Sequence, residues 1–153
     1  MATLVGTQSN FAKALTELAE LDFDAIEAYE AAINRLKNIN YKEQLQHFKQ
    51  EHEKHVRDLN EILLLHDHER VTGPSMKQWL TKGKVVISNI TGDDIGILQA
   101  MITNEEDTNT AYERMLDRQD KWSDAVEVLE KGLKDERHHK QWLKETIAAK
   151  GIE

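Results

Sequence analysis

With 153 residues, 31% of them charged and 39% hydrophobic, the chain has room for one domain with a sizeable core and little room for two. A formal charge of −8 leaves no basic stripe to displace counterions, which argues against a nonspecific nucleic-acid binder and gives no reason to dock on anionic lipid. The lack of cysteine excludes disulfides, thiolate nucleophiles and thiolate metal sites. No apolar run approaches the roughly 20 residues needed to cross a bilayer, so a soluble cytoplasmic protein is expected.

A single proline, few glycines and few β-branched runs predict a mostly helical chain. The first helix is expected over about 9–37, where Leu15, Leu18, Asp22, Ile26, Tyr29, Ile33 and Leu36 recur every three or four positions. After a break at Asn38 to Asn40, the second is expected over about 41–68. It turns Leu45, Phe48, His52, His55, Leu59, Ile62 and Leu63 towards one side. A crossover follows over about 69–92. Within it Gly73-Pro74 signals a turn, Pro74 opens a short helix through Trp79, and Val85-Val86-Ile87 reads as an extended stretch. Thr91, three residues before Asp94, marks the next helix start. The third helix is expected over about 93–117, with Leu98, Met101, Glu105, Tyr112 and Met115 on its apolar face. The fourth is expected over about 121–149, with Leu129, Leu133, Glu136, Leu143 and Ile147 on its face.

Short first and third connections require antiparallel hairpins, whereas the long middle one can cross the length of a bundle. The expected fold is therefore an all-α, single-domain four-helix bundle: two antiparallel hairpins joined by a long crossover that contains a short helix. The halves echo each other. Asp22 and Tyr29 correspond to Glu105 and Tyr112, while Glu51, His52, His55 and Leu59 correspond to Asp135, Glu136, His139 and Leu143.

The polar members of that repeat carry the chemistry. "KDERHHKQW" holds Glu136-x-x-His139, nearly one turn apart, so both side chains reach the same point. Asp22, Glu105 and Glu136 fall on the apolar stripes of three helices, where a carboxylate is expensive unless paired or bound to a cation. "QEHEKHVRDL" supplies Glu51, His52 and His55 from the remaining helix. Carboxylates with imidazoles suit iron, manganese or zinc. The same residues also allow a core network of acid–histidine hydrogen bonds. Glu27, Glu30, Glu106 and Glu113 are expected to be solvated or to pair with residues such as Arg35 and Arg118. His47, His66, His68 and His138 are expected at the surface or at helix ends, and Trp79, Trp122 and Trp142 in packing roles.

On these features, from roughly Leu15 to Ile147, the chain resembles the ferritin-like superfamily, especially small bacterial ferritin-like proteins of poorly defined function. In a di-iron member the first helix supplies an acid, the second a Glu-x-x-His pair, and the second hairpin repeats both. Those roles map onto Asp22, then His52 and His55, then Glu105, then Glu136 and His139. The implied cofactor is iron, as two ions, ahead of manganese or zinc. Asp22 is shorter than the usual glutamate, and His52 stands where a bridging glutamate is expected. Glu51 replaces that glutamate only if its turn of helix is rotated. Tyr29 and Tyr112 are similar to tyrosines beside di-iron centres that hydrogen-bond a ligand or take part in electron transfer; both rings also suit plain core filling.

The resemblance implies ferrous iron oxidation or peroxide reduction, with dioxygen or peroxide as the oxidant. Any electron donor is external, because no cysteine pair is present for a rubredoxin-type centre. Helical surfaces suit a homodimer. The alternative is a metal-free structural, stress-related or protein-interaction bundle.

Overall fold

The computed structural model describes residues 3–74 and 93–152, with side chains as far as Lys150. Helix α1 spans Phe11–Arg35, α2 Ile39–Leu65, α3 Asp94–Asp117 and α4 Val126–Ile152; one turn of 3-10 helix at Ser123–Ala125 precedes α4. The helix ends differ from the periodic pattern because capping side chains set them. Asn10 accepts from the Lys13 amide at 2.8 Å, so α1 begins at Phe11. The asparagine-rich break is itself a cap: Asn38 accepts from the Tyr41 amide, and α2 starts at Ile39. It stops at Leu65, short of 68, and Asp67 just beyond takes a left-handed φ of 61°.

Asp93 caps α3 through the Gly96 amide at 3.1 Å. Asp94 instead accepts the Lys37 and Asn38 amides at 3.0 and 2.8 Å, clasping the α1–α2 turn to the start of α3. Thr91, the short helix expected through Trp79 beyond its first residue, Pro74, and the extended stretch at Val85 to Ile87 lie outside the described residues.

The four helices form a bundle of two antiparallel hairpins, α1–α2 and α3–α4, joined by a long crossover. Between the hairpins, Arg118 at the end of α3 donates to the Gly6 and Gln8 carbonyls just before α1, both at 2.8 Å. With the Asp94 clasp at the other end, this makes α1 and α3 antiparallel neighbours. Tyr41 against Trp142, and His66 against Asp124, do the same for α2 and α4. On the diagonal, α2 and α3 then run parallel. The connection therefore begins and ends at opposite ends of the bundle, about 40 Å apart for a 27-residue helix. Its first described residues turn back along α2, where the Asn60 amide brackets Val71 by donating to its carbonyl at 2.9 Å and accepting its N–H at 2.7 Å.

Apolar side chains fall into two clusters, one towards each end of the bundle. The first gathers residues such as Leu15, Leu18, Leu59, Leu63, Met115 and Leu129 around Tyr112. The second gathers Ala32, Leu45, Phe48, Leu98, Met101 and Leu143 around Tyr29. Each fully buried leucine contributes about 1.5–3 kcal/mol by leaving water. Ile33 and Ile147, expected on buried stripes, pack only at the edge. Among the described residues no helix is long and apolar enough to cross a membrane.

Candidate metal centre

Between the two apolar clusters lies a layer of buried polar side chains, because the stripes of all four helices switch chemistry at the same height. Asp22 comes from α1, His52 and His55 from α2, Glu105 from α3, and Glu136 and His139 from α4. Their burial is nearly complete: His52, Glu105, Glu136 and His139 have no exposed surface, Asp22 has 1% and His55 3%. Two sets of ligand atoms converge here. Asp22, His52, His55 and Glu136 form one set; His52, Glu105, Glu136 and His139 form the other. Within each set all ligand atoms lie within 4.8 Å of one another. His52 and Glu136 belong to both.

Glu136 occupies the middle. Its Oε1 stands 3.3 Å from His52 Nδ1 and 3.1 Å from His55 Nδ1, and its Oε2 stands 3.6 Å from His139 Nδ1. These approaches suit charge attraction, but none is aligned as a hydrogen bond. Among the described residues neither Glu136 oxygen meets a hydrogen-bond donor, and His139 Nδ1 also lacks a hydrogen-bond partner. Buried polar atoms almost always find partners, so a carboxylate aimed into a cluster of ring nitrogens without one needs an explanation. A divalent cation, to which all these groups can offer lone pairs, would supply it. The donor set fits a metal, and both groups can chelate an ion.

The outer faces of two histidines are held from across the hairpins. His55 Nε2 meets Asp135 Oδ2 at 2.9 Å, and His139 Nε2 meets Glu51 Oε1 at 2.7 Å. In a neutral ring, donating Nε2–H outward leaves Nδ1 facing inward with its lone pair, the usual device for orienting a ligating imidazole. Glu51 thus stands outside both four-residue groups, as the orienting acid of His139. The phenols reach between helices as well. Tyr112 on α3 donates to Asp22 Oδ2 at 2.6 Å, and Tyr29 on α1 donates to Glu105 Oε1. Thr108 adds a second donor to Glu105 at 3.1 Å.

Without a cation the layer balances charge with protons. Burial alone pushes the His52 imidazole down, but the Glu136 charge and the bonds to Asp22 and Glu105 outweigh it, raising its pKa from 6.5 to about 9. His55 and His139 are likewise raised well above 6.5, as neighbouring carboxylates overcome burial. Burial also opposes ionisation of Asp22 and Glu105, yet the bonds from His52 and His55 hold Asp22 below the usual range, and the nearby His139 charge with the bond from His52 holds Glu105 well below it. Burial, reinforced by Glu105 and Asp22 respectively, raises the Tyr29 and Tyr112 phenols well above 10.

Three residues in this layer escaped the sequence reading as site components. Asp135 was visible as the repeat partner of Glu51, but its bond to His55 depends on the meeting of two hairpins. Gly132 gives Tyr112 its space: a Cβ built there runs into the Tyr112 ring. Asn109 ties α3 to α4 by donating to the Glu105 carbonyl at 2.7 Å and the Glu136 carbonyl at 3.1 Å. Elsewhere charged side chains pair near the surface. Arg118 binds Asp120 through Nε at 2.8 Å, while Glu113 approaches Arg137 at 3.9 Å and Glu30 approaches Lys49 at 3.6 Å. His66 stacks on Trp122 with ring centroids 3.7 Å apart.

Residues 10–118 match the family described as Domain of unknown function (DUF2383). The match covers well over half of the chain, and the chain belongs to that family. It ends at α3, so Glu136 and His139 lie beyond it. No curated protein and no solved structure matches.

Proposed function

We propose that this protein is a di-iron carboxylate protein that takes up two divalent cations between its apolar clusters and uses them to oxidise ferrous iron or reduce peroxide. The supporting observation is Glu136, a fully buried carboxylate whose oxygens face three imidazoles without a hydrogen-bond donor among the described residues. On this reading Asp22 and His55 hold one cation, Glu105 and His139 the other, and Glu136 and His52 lie between them. Three carboxylates and three imidazoles, with no thiolate, suit iron better than softer metals. Two ferrous ions supply one electron each, which together with two protons reduce one hydrogen peroxide to two waters.

The chain's own groups set the conditions. Asp135 and Glu51 fix the inward nitrogens of His55 and His139. The apolar clusters on either side keep bulk water away. Tyr29 and Tyr112 retain their protons at neutral pH and donate them to Glu105 and Asp22; we assign them a role in proton or electron transfer beside the cations. An external donor must return the ferric ions to the ferrous state. Anaerobic protein loaded with ferrous iron, mixed with peroxide and followed by its ferric absorbance, should consume one peroxide per two irons faster than free ferrous iron does. A rate equal to free iron would remove the catalytic half of the proposal.

A second reading rests on the balance of charge. Three imidazoles with raised proton affinity face three buried carboxylates, so the layer is also self-consistent as a metal-free core. Failure to bind any metal in stoichiometric amount decides for it.

A further inference from the structure

The two groups of ligands share an imidazole that turns a different nitrogen to each. His52 Nδ1 lies 2.8 Å from Asp22 Oδ1 and 3.3 Å from Glu136 Oε1, whereas Nε2 lies 3.3 Å from Glu105 Oε1. A neutral imidazole has one N–H and one lone pair. It can serve as donor to one group only, and presents a hydrogen to the other. Glu136, the repeat partner of His52, has no such restriction, since each of its oxygens carries lone pairs.

Local hydrogen bonds choose the side. A carboxylate only accepts, and of the two buried contacts the one to Asp22, at 2.8 Å against 3.3 Å to Glu105, favours the hydrogen on Nδ1. The lone pair of Nε2 then belongs to the group containing Glu105, Glu136 and His139. His139 is set for the same group, because Glu51 accepts its Nε2–H at 2.7 Å and Nδ1 is left facing in.

Resting on the cation-binding reading above, we infer that the Glu105–Glu136–His139–His52 group fills first and tightly, and that the Asp22–His55–Glu136 side takes a second ion weakly. The second side has lost one of four donors and faces an N–H whose partial positive charge opposes a cation. The first ion is then a resident and the second an exchangeable guest, admitted when metal is abundant.

Equilibrium dialysis of metal-free, untagged protein against cobalt(II), with visible absorption to report coordination, tests this directly. Wild type should take one equivalent tightly and a second at least about 100-fold more weakly, at or beyond the loss typical of disturbing a ligand's support. His52→Glu offers two oxygens in place of one lone pair and should bring the two steps within about tenfold. Glu105→Gln should abolish the tight step and Asp22→Asn should spare it. These two near-isosteric changes decide the matter even if His52→Glu fails to fold, with helicity checked by circular dichroism. Two equal equivalents in wild type, or loss of the tight step in Asp22→Asn with retention in Glu105→Gln, would overturn the inference and leave cation binding intact. No cobalt binding by wild type would overturn both.

Discussion

The two hairpins offer the same frame with different contents. In both, an acid seven residues before a tyrosine sits on the first helix, and an acid and a histidine four residues apart sit on the second: Glu51 and His55, then Asp135 and His139. Each of those outer acids holds the histidine of the opposite hairpin, so the frame is reciprocal. The contents diverge at the centre. His52 in one hairpin answers to Glu136 in the other, and Phe48 answers to Gly132. Phe48 lies 4.3 Å from the His139 ring and braces Tyr29, whereas Gly132 simply leaves room for Tyr112. Reciprocal outer bonds hold both histidines, while on the proposed reading the difference at one central position, His52 against Glu136, sets how the two candidate cation groups behave.

Substitutions at the unequal pair should break the resemblance most severely. Phe48→Ala opens a cavity beside His139 and should lower stability by about 3–5 kcal/mol in urea unfolding of the metal-free protein. Gly132→Ala should cost about 1–3 kcal/mol by overpacking against Tyr112, although alanine in an open helix interior gains up to about 1 kcal/mol over glycine. A stabilised Gly132→Ala protein would show that Tyr112 is not held by that space.

The equal pair should respond equally. Tyr29→Phe and Tyr112→Phe each remove a hydrogen bond to a buried carboxylate, and each should cost about 1.5–3 kcal/mol in the metal-free protein. A large effect from only one of them would show that the hairpins differ at the acids as well.

A smaller and more gradual effect should follow pH. Below 6.5 the imidazoles are protonated in folded and unfolded chains alike, so their stabilising contribution is fully present. As pH rises through about 9 the folded protein loses the His52 proton and that contribution with it. Thermal melts of metal-free protein should therefore fall from pH 6.5 towards 9. Cation-loaded protein should resist the fall, because deprotonated imidazoles are the form that binds. Unchanged melting of the metal-free protein across that window would contradict the charge balance described for the layer.

Much of this arrangement is legible in the sequence, because helical periodicity and connection length are local quantities. The stripes through Leu15, Leu18 and Asp22, or through Leu133 and Glu136, identify buried faces. Short and long connections then give the two-hairpin bundle. What is not legible depends on distances between hairpins. Glu51 reads as a ligand from its position beside His52, yet one residue along a helix is about 100° of rotation, enough to carry it to the outer nitrogen of His139. Asp135 has the same relation to Glu136 and acquires its partner only when α2 meets α4. Arg118 finds Asp120 and the carbonyls of Gly6 and Gln8 because the chain before α1 folds over the end of α3.

The most direct test is iron content. Untagged protein, prepared without chelator and reconstituted anaerobically with ferrous iron, should retain about one iron per chain after gel filtration and approach two as free ferrous iron is raised. Glu136→Ala should lose both together, since its carboxylate belongs to both groups. Wild-type protein with no stoichiometric iron under either condition would contradict the account and leave the buried acids and histidines as a core that balances its own charge.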